Sequence, residues 1–387
     1  MRIAFDASSM PARPAGAGRL MHELGHALAP YAAGNPLMLL DRFGAFDDLK
    51  GHPGVSLHRV PSVGRVRRAG WEQASLPRVV RRWGADILHG LHHSLPLVPA
   101  ATVNVVTIHD ITFDVLPHRY TASRRWYMRA ITRLGLLRAD AVIVPSSWVR
   151  SALARRYGVP EERVHVVPLA PPASMNPVRD PGRLSEVQTR YRLPDRFLLS
   201  VGTLEPGKNR ETLTRALSLT HGRGIRLPLV VVGQRGWLDD TDAAGEPIEQ
   251  TSYLGYVPDE DLPALYSRAE AFLFPSWLEG FGLPPLEALA CGTPVISSRR
   301  PAMTEVLGDA ALFADPRDPA AWADSIEWLV TDRRLRANLI ARGLARAATF
   351  SWDRSAQSTL EVYAAALHSP KRAGRRSAGA SSSDPTA

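Results

Sequence analysis

The run Pro275-Ser276-Trp277-Leu278-Glu279-Gly280-Phe281-Gly282-Leu283-Pro284-Pro285-Leu286-Glu287 constrains this chain more than any other stretch. The apolar residues before it, Ala271-Phe272-Leu273-Phe274, predict a short buried strand. Two glycines then mark a loop, and Pro284-Pro285 opens a helix that continues through Leu286-Glu287-Ala288-Leu289-Ala290 and stops near Gly292. Proline suits the first turn of a helix, where the N–H it lacks would have no partner anyway. Glu279 is therefore expected in the loop and Glu287 in the first helical turn. The N–H groups of Gly280, Phe281, Gly282 and Leu283 are expected to face the space between them, beside a positive helix end. That is an anion site flanked by two carboxylates, and a sugar joined to a diphosphate fits it. A bare pair of glutamates at this spacing serves equally well as a helix cap and a surface residue, so the rest of the chain has to decide.

A length of 387 residues suggests two domains, and 45% hydrophobic content is enough for a core in each. No apolar run approaches the length of a bilayer span. The N-terminus, Met1-Arg2-Ile3-Ala4-Phe5-Asp6, meets an acid too early for a signal peptide. The one cysteine, Cys291, leaves no internal disulfide or cysteine-based metal site and fits a reducing cytoplasm. It is expected to pack as a small apolar group at a helix end. The net charge of +9 is nearly all arginine, since lysine stands only at positions 50, 208 and 371. Much of that arginine lies in the first half, at Arg65, Arg67, Arg68, Arg78, Arg81 and Arg82, then at Arg119, Arg124, Arg125, Arg129, Arg133 and Arg138. A basic half could meet nucleic acid, an anionic membrane surface or an anionic substrate, or it could simply be solvated. No nucleic-acid motif accompanies it, so a membrane surface is the preferred partner and no nucleic acid is expected. Trp71, Leu76 and Trp83 interleave with arginine between Ser62 and Trp83, which suits a membrane interface. An ordinary amphipathic core helix explains that interleaving equally well.

Strand and helix signals alternate along the chain. Arg2 to Asp6 predicts a first strand, and Ala15-Gly16-Ala17-Gly18-Arg19 a turn into a helix that starts near Leu20, as in a Rossmann-like unit. The third glycine of the dinucleotide fingerprint is missing, so no nicotinamide site is assigned. Gly16 and Gly18 could bring backbone N–H groups to a phosphate or acceptor, or make no more than a tight turn. Further strands are expected at residues 36–40, 55–60, 85–89, 102–108, 139–145 and 164–168. His89, His92 and His93 match no zinc spacing and are expected to line a cleft. His109 follows the clearest strand of the first half, at the carboxyl end where ligands gather in open parallel sheets. Ser146-Ser147 can cap the helix that follows. Pro168, Pro171, Pro172 and Pro177 mark a stiff linker and a domain boundary. The second half repeats the pattern, with strands at residues 196–203, 228–233, 293–297 and 310–316. Lys208 stands in a loop before a helix at 211–219, and Arg235 at the end of the 228–233 strand. From Ser369 the composition predicts a disordered basic tail.

Glu279 to Pro285, with the following Cys291-Gly292-Thr293-Pro294-Val295-Ile296, resembles the donor site of the retaining family-4 glycosyltransferases, which have the two-domain GT-B fold. Gly202-Thr203-Leu204-Glu205-Pro206-Gly207-Lys208-Asn209 resembles the Gly-Thr-Leu-Glu-Pro-Arg-Lys-Asn loop of mannosyltransferase-like members. Thr107-Ile108-His109-Asp110 resembles a further motif of that family, and Tyr253 to Pro258 its segment near the nucleotide base. The resemblance is specific in the second half and looser in the first. Two positions depart from it: Gly207 stands where arginine is usual, and Thr203 where some relatives carry a second diphosphate-binding arginine. Arg235 is the candidate to compensate.

The resemblance implies an α/β chain of two Rossmann-like domains facing across a cleft. Residues 1–172 would form the acceptor side and 173–350 the donor side; 351–368 would return as a helix to the first domain, and 369–387 would be the tail. It implies transfer of a hexose from a nucleoside diphosphate donor to an acceptor hydroxyl, with retention at the anomeric carbon and no cofactor or metal. His109 would position the donor sugar, Glu279 would hold its ring hydroxyls, Glu287 the ribose, and Lys208 would neutralise the diphosphate. Gly16, Gly18, Thr203, Arg235, Tyr256 and the Gly280-Phe281-Gly282-Leu283 loop would complete the donor site. The motifs lean toward GDP-mannose, with UDP-, ADP- and dTDP-sugars as alternatives. The acceptor would be a lipid-linked or polysaccharide intermediate of cell-envelope glycan synthesis, met by a cytoplasmic protein docked on the inner face of the plasma membrane. A sugar-nucleotide epimerase of the same fold and a non-catalytic glycan- or membrane-binding module remain as rivals. An oxidoreductase would need a nicotinamide fingerprint that is not evident.

Overall fold

A computed structural model describes residues 1–12, 16–61, 64–98, 100–101, 103–234 and 251–369. Its frame is two parallel sheets. The first contains β1 (Ile3–Asp6), β2 (Leu37–Asp41), β3 (Val55–Arg59), β4 (Ile87–Gly90), β5 (Val103–Thr107), β6 (Ala141–Val144) and β7 (Val164–Val166), in the order β3-β2-β1-β4-β5-β6-β7. The second contains β8 (Leu198–Val201), β9 (Leu229–Val232), β10 (Thr251–Gly255), β11 (Ala271–Phe274), β12 (Val295–Ser298) and β13 (Ala311–Ala314), in the order β10-β9-β8-β11-β12-β13. Every pairing is parallel, with Ile3 beside Leu37 and Ile87 in one sheet and Ala271 beside Leu198 in the other. Strands covered by helices on both faces must be apolar throughout. β1, β4, β6, β9 and β11 accordingly consist of buried residues from end to end.

Each sheet therefore has a core on both faces, and the protein has the two Rossmann-like domains expected of a GT-B fold. Ala170 packs in the first sheet's core and Met175 in the second's. The last helix, Trp352–Leu367, leaves the second sheet and buries Trp352, Ala356, Val362, Tyr363 and Ala366 in the core of the first. Hydrogen bonds help to fix it there, among them Ser355 Oγ donating to the Pro168 carbonyl at 2.6 Å and Tyr31 Oη donating to Asp353 at 2.6 Å. In both sheets the strand order reverses at the middle, beside β1 in one and β8 in the other. Loops leaving neighbouring strands diverge at such a point and leave a crevice at the carboxyl ends.

Two local expectations need correction, and one open alternative is decided. The first helix spans Ala17–Leu28 and so starts before Leu20, because Gly16 adopts φ 52° at its N-cap and lets the chain turn early. Glu287 lies in the second turn of helix Leu283–Ala290 rather than the first. The basic segment after residue 62 forms two helices, Arg65–Ala74 and Leu76–Trp83, whose tryptophans face inward. Leu76 and Val80 are buried, Trp71 and Trp83 pack against the same core, and the Arg2 guanidinium lies over the Trp83 ring at 4.5 Å. That segment is an amphipathic pair of core helices. No helix among the described residues is long and apolar enough to cross a membrane. The predicted tail lies beyond the described residues, apart from Ser369 at its start.

Candidate active site

The loops after β8 and β11 are built to hold one another. Asn209 adopts φ 53°, a left-handed backbone that asparagine tolerates better than most residues. Its buried amide donates to the carbonyls of Pro275 (3.1 Å) and Pro316 (2.8 Å). Trp277 N–H donates to the Gly207 carbonyl at 3.0 Å. These bonds set the two loops side by side, and Lys208 Nζ donates to Glu279 Oε1 at 2.6 Å. Burial alone would lower the Lys208 pKa, but Glu279 and then Glu205 outweigh it and hold the ammonium protonated. Glu205 carries the opposite strain: burial pushes its carboxyl up to about 7 against the pull of Lys208, and Glu279 adds to the rise.

Glu287 is 1% exposed, and both of its oxygens are engaged. Oε2 accepts from Tyr266 Oη at 2.9 Å, while Oε1 accepts from Arg19 Nη1 of the first domain at 2.5 Å. Arg19 also pairs with Asp259. Burial disfavours its charge, yet Glu287 and Asp259 together hold the guanidinium above its ordinary pKa. A buried carboxylate thus meets a cation from the opposite wall of the cleft.

The loop between the two glutamates is pinned to the first domain. A Cβ on Gly280 would stand 1.9 Å from the His109 carbonyl oxygen, so only glycine lets the two backbones approach. The Gly280 carbonyl accepts from Ser146 Oγ at 2.6 Å, and Ser146 also caps helix Ser147–Tyr157 as expected. Glu305 of the second domain accepts from Ser147 N–H (2.8 Å) and Trp148 N–H (3.2 Å) at the start of that helix. Gly282, at φ 104°, turns the chain into helix Leu283–Ala290.

Two cavities open between the walls. The first, of about 400 Å³, is lined by Gly16, Arg19, Thr203, Tyr256, the Gly280-Phe281-Gly282-Leu283 loop and Glu287. The second, of about 420 Å³, is lined by His92, His93, Tyr120, Arg124, Glu205 and Gly207. His109, Asp110, Lys208 and Glu279 line both. His109 Nε2 lies 2.7 Å from the Leu91 carbonyl and must donate to it. Burial lowers its pKa, so the ring is neutral and Nδ1 is an acceptor. Burial likewise lowers His92 to about 3, and His93, beside Thr132 Oγ1 at 2.9 Å, falls well below its usual range. His89 is structural: it is fully buried between Tyr363 Oη and Thr107 Oγ1, each at 2.7 Å. Among the described residues no cluster of His, Cys, Asp or Glu is arranged to hold a metal ion.

The structure thus brings together Gly16, His109, Thr203, Lys208, Tyr256, Glu279, Gly280, Phe281, Gly282, Leu283 and Glu287. Gly18 does not join them. It sits inside the first helix, where a Cβ would stand 2.9 Å from Pro11 Cδ, and it serves packing. Arg235 lies outside the described residues. Arg19, Asp259 and Tyr266 around Glu287 escaped the sequence reading, because Arg19 and Glu287 stand 268 positions apart with no local signal. Arg119 escaped it too; its guanidinium stacks on Trp277 at 4.7 Å and donates to the Pro206 carbonyl at 3.1 Å.

Residues 14–170 match the family described as Glycosyltransferase Family 4, and residues 185–346 match Glycosyl transferases group 1. The O-antigen chain mannosyltransferase B of Escherichia coli is 36% identical over 307 residues, which cover 77% of each chain. The serotype-specific mannosyltransferase WbdA of Escherichia coli is 29% identical over 289 residues, 72% of this chain, which spans only 35% of that protein. Among solved structures, Anabaena HepE in complex with UDP-glucose has a TM-score of 0.73 at 19% identity, over 94% of this chain and 100% of that one. WaaG, a glycosyltransferase involved in lipopolysaccharide biosynthesis, has a TM-score of 0.68 at 16% identity, over 94% and 99%.

Proposed function

The chain belongs to glycosyltransferase family 4, and from that premise we propose that it moves mannose from GDP-mannose to a hydroxyl of a lipid-linked or polysaccharide acceptor, with retention at the anomeric carbon. The observation that carries this reading is the meeting of two cavities at His109, Asp110, Lys208 and Glu279. A donor in the first cavity and an acceptor in the second would bring their reacting atoms to that shared wall. The identity to an O-antigen chain mannosyltransferase supports mannose and a role in cell-envelope glycan synthesis.

On this reading Lys208 neutralises the diphosphate as the bond from the anomeric carbon to the phosphate oxygen breaks, an interaction that strengthens as charge develops. The acceptor oxygen bonds to the same face of that carbon, and its proton passes to the departing phosphate. No carboxylate nucleophile and no metal ion is required. Glu279 holds the sugar hydroxyls, and neutral His109 helps to position the ring. The ribose takes the place of Arg19 on Glu287, whose two oxygens can accept both ribose hydroxyls. The released guanidinium then supplies the second cation that Thr203 cannot.

The test is thermal stability with GDP, UDP, ADP and dTDP. A nucleotide at about 100 times its Kd stabilises by about 2.7 kcal/mol, a readily measured shift in Tm. GDP alone is expected to produce it, and the shift is expected to fall to about half or less in Glu287→Ala. A response to another nucleotide would reassign the donor, and a response to none would favour a binding module. Turnover of GDP-mannose is expected to survive a chelator; loss of the rate, restored by a divalent cation, would overturn the metal-free mechanism.

A further inference from the structure

The loop after β8 forms one side of the second cavity, and it presents two residues there that the needs of the fold do not explain. Glu205 stands at the N-cap of the short helical turn Pro206–Lys208, yet its carboxyl does not cap that turn. Among the described residues no hydrogen bond reaches that carboxyl, and Lys208 bonds to Glu279 instead. Gly207 is the other residue. Its φ lies outside the positive region that favours glycine. A Cβ on it would meet Glu205 Oε1 at 3.5 Å, an ordinary contact, and nothing closer among the described residues. The backbone therefore accepts a side chain at position 207, and that side chain would stand beside Glu205 in the cavity both residues line.

We propose that Glu205 and Gly207 form the subsite that selects the acceptor: the bare backbone at Gly207 leaves room for a sugar ring, and Glu205 takes a hydrogen bond from one of its hydroxyls. The inference rests on the reading of the second cavity as the acceptor's place. A half-buried carboxyl that lacks a donor is costly, and a sugar hydroxyl supplies the donor. The group recognised is an uncharged sugar. Asp110, Glu205 and Glu279 face Lys208, Arg119 and Arg124 around the cavity, so the formal charges balance and no excess of cations awaits a phosphate or carboxylate. Phe113, Leu116, Met128 and Leu278 add the apolar surface on which the C–H face of a ring can lie.

The loop is held from both domains. Trp277 N–H donates to the Gly207 carbonyl at 3.0 Å, and Arg119 of the first domain, stacked on Trp277, donates to the Pro206 carbonyl at 3.1 Å. The same loop carries Lys208, which lines both cavities. One short segment thus sets the acceptor sugar against the wall that takes the diphosphate.

The experiment measures binding of methyl α-mannoside and methyl N-acetyl-β-glucosaminide to the full chain by saturation-transfer NMR, with methyl α-mannosiduronate as an anionic counterpart. At least one neutral glycoside is expected to bind, and the uronate to bind far more weakly. Glu205→Ala is expected to weaken the neutral glycoside roughly tenfold, while Glu205→Gln, which keeps an accepting oxygen, stays within about threefold of the parent. Gly207→Ala is expected to bind nearly as the parent does, and Gly207→Leu to lose binding with Tm unchanged. Should Gly207→Leu fail to fold, the two Glu205 variants decide alone. Failure of both neutral glycosides to bind would overturn the proposal, as would equal binding in the parent and Glu205→Ala. Tighter binding of the uronate would also overturn it and give the cavity to an anionic acceptor. The GDP-induced Tm shift, read on the same samples, separates the two ideas: glycoside binding without it would leave the subsite standing and sink the donor assignment.

Discussion

Both walls of the cleft are made of the carboxyl ends of parallel strands, yet they bring opposite chemistry to it. The second sheet brings charge in paired form: Lys208 with Glu279, and Glu287 with an arginine reached from across the gap. The first sheet brings His92, His93 and His109, all held neutral by burial, with Asp110 and Arg124 at their side. On the proposed reading a diphosphate enters the charged wall by taking Lys208 and the released Arg19 as partners, while Glu287 keeps Tyr266 and gains the ribose hydroxyls as donors. Neutral imidazoles offer hydrogen bonds without adding charge of their own, which on the proposed reading suits the hydroxyls of a sugar. On that reading one fold unit serves two tasks because the loops differ, while the sheets scarcely do.

The contrast breaks most sharply at Lys208. Lys208→Ala is expected to remove about 2–4 kcal/mol of transition-state stabilisation, the range for one preorganised electrostatic donor. That corresponds to a loss of roughly thirtyfold to a thousandfold in kcat, measured as GDP released from GDP-mannose. His92→Ala, on the neutral wall, is expected to change kcat far less and to act mainly on acceptor KM. Equal losses in the two variants would erase the distinction between the walls.

Within the charged wall the two glutamates are expected to separate. Glu287→Ala should weaken GDP binding by about 1.5–3 kcal/mol, the worth of a hydrogen bond to a charged group, while Glu279→Ala should chiefly lower turnover. Glu287→Ala should also lower Tm, because it leaves buried Arg19 and the Tyr266 hydroxyl without their shared partner. Titration with GDP followed by initial rates decides the matter. Matching affinities and matching rates in both variants would refute the division of roles.

The charged wall was the legible one, and the reason is local. A buried strand, a loop with two glycines and a proline-opened helix are all written within Ala271 to Ala290, so Glu279 could be placed relative to Glu287 without tertiary information. Lys208 was legible for the same reason, as a loop residue just after a strand. Arg19 was not, because its meaning depends on an ion pair to Glu287 that only the closed cleft creates. Gly18 was misplaced by the few residues separating the expected helix start from the real one at Ala17. Composition left the basic half undecided. Arginine mixed with tryptophan after Ser62 suited a membrane interface and a core helix alike, because composition cannot say which way a tryptophan faces. Trp71 turns inward and Trp126 outward.

The mildest test concerns Glu205, the carboxylate that lies where the charged wall meets the second cavity. Its carboxyl is raised from 4.5 to about 7, first by burial, against the opposing pull of Lys208. A carboxyl raised on folding binds more protons in the native state than in the unfolded one, so stability must fall as pH rises between those two values. Its partial exposure reduces the effect to on the order of 1–2 kcal/mol. Glu205→Gln keeps the neutral form at every pH and should flatten that decline, so that the parent and variant curves of stability against pH diverge between about 4.5 and 7. The sign is the opposite of that for a carboxylate stabilised by an ion pair, which would lose stability on acidification. Parallel curves would mean that Lys208 already compensates Glu205 in full. In that case the charged wall would hold one more closed pair, and the contrast between the two sides of the cleft would be sharper than the burial of Glu205 suggests.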